Sequence, residues 1–293
     1  MQFIRNVFSS FFSLDNYGDT EHDYHFPTTM EGFGYQFNEN GQLTQTSTDE
    51  PFQYKVKEND RQYNQAHYEA LGVCIGHHIE EVLMTEYNLQ RLQIPLKEPN
   101  DPEDKARSHV YISEDALTSP DTLLVLLQGS GTIRPGQWSR RVIMNESLEA
   151  GSMFPYIERA QHNGWNVMIL NPNNNEIAYE DGDGQDFGGE GGLSFSKNPG
   201  SMTIDGCETP EHHCQYVWDN LIKDCKAEHI VIVAFSYGGH AISVLATQNA
   251  LEFTQRVNAL ALIDSVHSHT EHENAPGAAK DSIMQYLENE INQ

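Results

Sequence analysis

Ile230-Val231-Ile232-Val233-Ala234-Phe235-Ser236-Tyr237-Gly238-Gly239-His240-Ala241 is an unbroken apolar run that ends at Ser236 and opens into a Gly-containing helix start. A strand apolar on both faces belongs inside a parallel sheet covered by helices. A serine on a sharp strand-to-helix turn presents its hydroxyl above such a sheet, and small residues two before and two after it let strand and helix approach closely. Ala234 and Gly238 meet that need, so the stretch reads as a G-x-S-x-G nucleophile elbow with Ala in the first position. The fold class predicted is therefore α/β, with Ser236 at the carboxyl edge of the sheet.

Working outward, Leu123-Leu124-Val125-Leu126-Leu127 is a second doubly apolar run, and it leads into Gln128-Gly129-Ser130-Gly131-Thr132. In a hydrolase sheet this loop supplies one backbone N–H of the oxyanion hole, and the residue after the nucleophile supplies the other. Gly129, Ser130 and Tyr237 are the candidates here. A dinucleotide fingerprint fails, because Arg134 stands where the third Gly of G-x-G-x-x-G belongs. Downstream, Ala261-Leu262-Ile263-Asp264-Ser265-Val266-His267-Ser268-His269 places an acid at a strand end with two imidazoles just beyond. The chain order Ser, Asp, His is that of a serine hydrolase, giving Ser236 as nucleophile, Asp264 as orienting acid and His267 or His269 as base.

The same reading extends across the chain. Gly34 to Phe37 and Gln42 to Thr46 alternate around Asn40-Gly41 as a hairpin, and Phe52 to Val56 would add a third strand. A long helix from about Asp60 carries Tyr68, Leu71, Ile75, Ile79, Val82 and Leu83 on one stripe and ends before Pro95. Strands at His109 to Ile112, Val167 to Leu170 and Leu260 to Asp264 alternate with helices around Met153 to His162, from Thr209-Pro210, after Tyr237 and around Ala278 to Leu287. Asp15 to Met30 reads as a polar linker. About residues 172–206 form a Gly-, Asn- and Asp-rich insertion whose Asp181-Gly182-Asp183-Gly184-Gln185-Asp186 fails as a calcium loop, since Asp186 sits where the sharp turn wants Gly.

Composition narrows the function. The 293 residues carry 43 Asp+Glu against 17 Lys+Arg, a net charge of −26. Phosphate backbones are bound by Lys and Arg displacing counterions, so bulk DNA binding is excluded. Four cysteines with no C-x-x-C spacing fit a reduced, intracellular setting, and no apolar run is long enough to cross a bilayer. No metal-ligand spacing or cofactor motif is present, so neither metal nor cofactor is expected. At the amino end Phe3, Ile4, Val7, Phe8, Phe11 and Phe12 repeat with helical period, which predicts an amphipathic helix that docks on the domain or a partner, the alternative being a membrane-surface anchor that its single cation disfavours.

Arg134, Arg140 and Arg141 concentrate cations just after the Gly129-Ser130-Gly131 loop, around Trp138. Such a cluster either holds a phosphate, a carboxylate or the end of an RNA strand, or neutralises nearby carboxylates.

Many dispersed blocks carry a resemblance. Phe26-Pro27 with Glu31-Gly32-Phe33, Asn38-Glu39-Asn40-Gly41-Gln42-Leu43, Tyr68-Glu69-Ala70-Leu71-Gly72, Ser113-Glu114-Asp115-Ala116-Leu117, Gly129-Ser130-Gly131, Gly136-Gln137-Trp138-Ser139-Arg140-Arg141, Leu170-Asn171-Pro172-Asn173, Tyr216-Val217-Trp218-Asp219, Ser236-Tyr237-Gly238-Gly239 and Asp264-Ser265-Val266-His267 together resemble the Argonaute-binding-protein-two (Arb-two) domain family. That family includes animal cotranscriptional regulators and a domain appended to fungal histone deacetylases. The resemblance implies an α/β-hydrolase-like fold, a nuclear location, and association with Argonaute or chromatin-silencing proteins through small RNAs. Its members often have His where this chain has Gln128 and Phe235.

The expected architecture is thus an amino-terminal helix and linker over residues 1–25, then one α/β-hydrolase-like domain over 26–293. Its mostly parallel sheet is covered by helices and preceded by a β-hairpin or meander. Few residues follow Asp264, so the last strands of the full fold are expected to be missing. Unless His267, His269 or His272 folds back over Ser236, the serine lacks a base, and an unassisted hydroxyl is a poor nucleophile. Two functions follow as expectations: a silencing adaptor on a weakly active or inactive hydrolase fold, or a serine esterase or amidase.

Overall fold

Alternate residues of a strand point to opposite faces, so a strand apolar throughout can feed two cores at once. In the computed structural model, which describes residues 24–103, 105–179, 200–265 and 275–291, both apolar runs do this. The strands are β1 (Tyr35–Phe37), β2 (Leu43–Gln45), β3 (Gln90–Ile94), β4 (Ser108–Ile112), β5 (Leu123–Leu127), β6 (Asn166–Ile169), β7 (Glu176–Tyr179), β8 (Gly200–Thr203), β9 (Ile230–Phe235) and β10 (Val257–Ile263). The helices are α1 (Arg61–Thr85), α2 (Arg140–Asn145), α3 (Leu148–Gly151), α4 (Phe154–His162), α5 (Pro210–Val217), α6 (Tyr237–Gln248), α7 (Ala250–Arg256) and α8 (Ala275–Ile291), and a π-helical turn spans Trp218–Ile222.

Six strands form the central sheet in the order β10-β9-β5-β6-β4-β3. The pairs β10 with β9, β9 with β5 and β5 with β6 are parallel, and β4 runs antiparallel to both β6 and β3. Leu124, Leu126, Val231, Val233 and Phe235 pack with Leu71, Ile75, Ile79 and Leu83 of α1, Tyr156 and Ile157 of α4, and Met284 and Leu287 of α8. Leu123, Val125, Leu127, Ile230, Ile232 and Ala234 pack on the other face with Val217, Trp218, Ile242, Leu245 and Phe253. Each such buried aliphatic side chain contributes about 1.5–3 kcal/mol relative to exposure. The result is the expected mostly parallel, helix-covered, α/β-hydrolase-like sheet, and among the described residues β10 is its last strand.

The hairpin β1–β2 forms as expected, with the Asn38 side chain accepting from the amides of Asn40 and Gln42. Other expectations need correction. Phe52 to Val56 is not a strand: Pro51 makes a single bridge to Thr44, and Phe52 is instead buried against Tyr35. The long helix does end before Pro95, at Thr85, but a strand absent from the sequence reading, β3, follows it. Its Gln-Arg-Leu-Gln-Ile sequence is mostly solvated at the sheet edge, so it lacks the apolar run that marks β5 and β9. The supposed linker is core at its end, since Phe26 and Met30 are buried. The 172–206 insertion is framed by the two-stranded β7–β8 ladder. The helix expected after Tyr237 does form, as α6, and α7 follows it from Ala250. The Phe-rich segment of residues 1–14 and His267, His269 and His272 lie outside the described residues.

Candidate functional site

Ser236 has φ 52° and ψ −121°, between the last residue of β9 and the first of α6. A non-glycine residue in that region costs roughly 1–3 kcal/mol and persists only where its surroundings hold it. Here two bonds do so: the Ser236 amide donates to the Ile263 carbonyl at 2.9 Å, and the Gly239 amide donates to the Ser236 carbonyl at 3.1 Å. Gly238 is required by close approach, since a Cβ there would stand 2.5 Å from the Gln128 carbonyl oxygen and 3.1 Å from that of Leu127. The carboxyl end of β5 and the first turn of α6 therefore touch backbone to backbone.

The Gly129 loop lies against the serine. A Cβ on Gly129 would be 3.1 Å from the Ser236 Cβ and 3.4 Å from its Oγ. The loop is clamped by Asn173, whose side-chain amide donates to the carbonyls of Gly129 and Ile133 at 2.9 and 3.0 Å. Ser236 is 2% exposed and Gly129 is buried, whereas Ser130 faces solvent. The amide of Tyr237 is in the first turn of α6, where a helix has no internal acceptor to offer. Gly129, Ser236 and Tyr237 are thus brought together at one end of the sheet, with Ser130 beside them on the exposed part of the loop.

Asp264 follows Ile263, which pairs with Phe235, so Asp264 and Ser236 occupy equivalent places past adjacent parallel strands about 4.8 Å apart. Both have positive φ, 43° for Asp264 and 52° for Ser236.

The arginines turn elsewhere. Arg140 is buried, donates to Glu69 of α1 at 2.6 Å and lies 5.1 Å from the Tyr68 ring centre. Arg134 reaches Glu80 of the same helix at 3.5 Å, and Arg141 is exposed at the start of α2. Arg140 and Arg134 each pair with a carboxylate of α1. These pairs tie the loop and α2 to α1.

Several residues at this end were not legible in sequence. The Tyr237 hydroxyl donates to Glu211 of α5 at 2.7 Å, and His240 Nε2 is 3.8 Å from the same carboxylate. Burial and the Glu211 bond push the Tyr237 hydroxyl up to about 12. Burial opposes charge on Glu211, but the bond from Tyr237, together with backbone and Thr209 contacts, holds its carboxyl below the usual range. Burial also pushes the imidazoles of His109 and His213 down to about 3. His213 is fully buried, and its Nε2 accepts from the Asn171 amide at 3.0 Å. The only sequence signal for Glu211 was its place in a helix opened by Thr209-Pro210. Among the described residues no group of three His, Cys, Asp or Glu is arranged to hold a metal ion.

Comparison with known proteins identifies the family. The chain is 39% identical over 273 residues to a chicken protein, "Cotranscriptional regulator ARB2A homolog", with 83% of this chain and 65% of that protein covered. It is 39% identical over 279 residues to mouse "Cotranscriptional regulator ARB2A", covering 85% of this chain and 66% of the relative. The chain thus spans about two thirds of the length of these relatives. Among solved structures it is similar to the histone deacetylase Clr3, at 12% identity and TM-score 0.40 over 75% of this chain and 39% of that one. It is also similar to a fungal esterase from Rhizomucor miehei, at 12% identity and TM-score 0.36 over 69% of this chain and 53% of that one. The model of the Arb2 domain matches residues 26–289, from the buried Phe26 through the elbow to the last described helix. With a serine elbow facing a glycine loop and a match of that extent, the chain belongs to the Arb2 domain family.

Proposed function

We propose that this chain is the core of a nuclear cotranscriptional regulator that works as an adaptor for Argonaute or chromatin-silencing proteins in small-RNA-directed silencing, with little or no hydrolase activity. The observation that carries the reading is the Arb2 match over 26–289 together with relatives named cotranscriptional regulators. Two physical features support it. The net charge of −26 disfavours direct grip on a nucleic-acid backbone and favours contact through protein partners. Ser236, 2% exposed and lying against Gly129, is largely withdrawn from solvent. The tagged full chain is expected to co-precipitate Argonaute or silencing proteins from nuclear extract, and equally well as Ser236→Ala. Recovery of neither class, from nuclei that contain the tagged chain, would overturn the adaptor reading.

A second reading is favoured by one specific observation, the strained φ of 52° at Ser236, because such strain is kept where a hydroxyl must be presented. In it Ser236 attacks an ester or amide carbonyl, Gly129, Ser130 and Tyr237 amides receive the oxyanion, Asp264 orients the base, and His267 or His269 takes the proton. A fluorophosphonate probe decides between them. The adaptor reading expects no label on folded protein, whereas label that disappears in Ser236→Ala establishes the hydrolase.

A further inference from the structure

The carboxyl edge of the sheet holds a second cluster beside the serine. Tyr111 pairs with Ile169, Ile169 with Leu126, and Leu127 with Ala234. Extending those registers by one or two residues aligns His109, Asn171, Gln128 and Phe235 in a single row. Tyr111, Ile169, Leu126 and Val233, two residues away along each strand, all belong to the core under α1, so the row faces that helix. Residues 134–138 cover it. Trp138 meets Phe235 edge-on at 6.4 Å, and Arg134 and Gln137 both lie against Gly76 of α1.

This row and its cover are polar and sealed. Gln128 is 0% exposed, Gln137 and Trp138 1% and His109 4%. Both amide atoms of Gln128 and of Gln137, the Trp138 Nε1 and the His109 Nε2 make no hydrogen bond among the described residues. Buried polar atoms are nearly always satisfied, so several unpartnered in one region call for a guest. Their chemistry selects its kind. Arg91 donates to His109 Nδ1 at 3.0 Å, so the neutral ring carries its proton on Nε2. Counting that N–H, the indole N–H and two amide NH₂ groups, donors outnumber the two amide oxygens. The Arg134 guanidinium stands alongside. Glu80, the one carboxylate shown facing this region, takes the Tyr111 hydroxyl at 3.1 Å and Arg134 only at 3.5 Å.

We propose that His109, Gln128, Gln137 and Trp138, with Arg134 at the rim, form a binding site for a small oxyanion, a phosphate group or a short carboxylate, between α1 and the sheet edge. An acceptor-only guest satisfies the excess donors, and Arg134 supplies the charge. The site stands whether or not Ser236 is catalytic.

Thermal unfolding and calorimetric titration of the full chain with sodium phosphate, sodium butyrate and, at matched ionic strength, sodium chloride test this. A saturable rise in Tm with phosphate or butyrate, and none with chloride, is expected; the stronger of the two identifies the guest. Arg134→Met and Gln137→Leu should each weaken that binding by about tenfold or more. Gln137→Leu should also keep or raise the Tm in chloride alone, since it removes unpaired polar atoms in favour of apolar ones. No saturable response to either anion, or an equal response in both variants, would overturn the site and leave ordered water as the partner of these groups.

Discussion

Lowering the pH from about 7 to about 5 will cost this protein on the order of 4 kcal/mol of stability through two histidines. His109 and His213 are buried at 4% and 0% exposure, and burial pushes both imidazoles down to about 3. In the unfolded chain each takes a proton near pH 6.5. Between those values the unfolded state binds more protons, so the stabilisation is complete above about pH 6.5 and drains away as pH falls, at about 1.4 kcal/mol per pH unit for each ring. Urea unfolding at several pH values measures it. His109→Asn and His213→Gln keep an acceptor near the Arg91 and Asn171 donors but cannot titrate. The double variant should therefore flatten the curve between about pH 6.5 and 5. A wild-type chain equally stable at pH 7 and pH 5 would remove the claim that these rings are held neutral.

Gly238→Ala should destabilise by about 2–3 kcal/mol, a fall of roughly 4–12 °C in Tm. The direction is informative, because Gly→Ala inside a helix ordinarily stabilises by about 0.5–1 kcal/mol. At this position the new Cβ would stand 2.5 Å from the Gln128 carbonyl oxygen and 3.0 Å from the Leu127 Cγ. Backbone cannot step aside as a flexible side chain can, so α6 must withdraw from the end of β5. That withdrawal parts Ser236 from Gly129, and the variant should lose whatever function the elbow serves along with its stability. An unchanged or higher Tm, read by circular dichroism, would show that strand and helix do not meet as closely as described.

The two predictions mark the boundary between what could be read locally and what could not. Gly238 was singled out from the sequence, because a small residue two after the serine is demanded by chain geometry within a dozen positions. His109 and His213 were not. His109 alternates within a short strand, and His213 sits in a helix among 14 histidines in the chain; nothing local distinguishes a buried ring from a solvated one. The strand β3 was missed for a related reason. At the sheet edge its side chains are mostly exposed, so the burial that would show as an apolar run is absent.

The arginines illustrate the limit most clearly. Their spacing in sequence put three cations beside the Gly129 loop, yet Arg140 closes on Glu69 and Arg134 on Glu80, carboxylates more than fifty positions away. Charge is indifferent to sequence distance, and which acid an arginine finds depends on which helix is laid across it.

By itself the sequence determined the buried strands β5 and β9, the break at Ser236, the glycine turn opposite and the acidic balance of the surface, because each is a short-range consequence of side-chain size, backbone freedom or composition. Tertiary structure alone decided that β10 lies beside β9 so that Asp264 comes level with Ser236, that Asn173 clamps the Gly129 loop, and that Gln128, Gln137, Trp138 and His109 share one sealed region. Those outcomes arise from the order in which strands pair and helices cover them, a many-body packing result to which no single stretch of residues holds the answer.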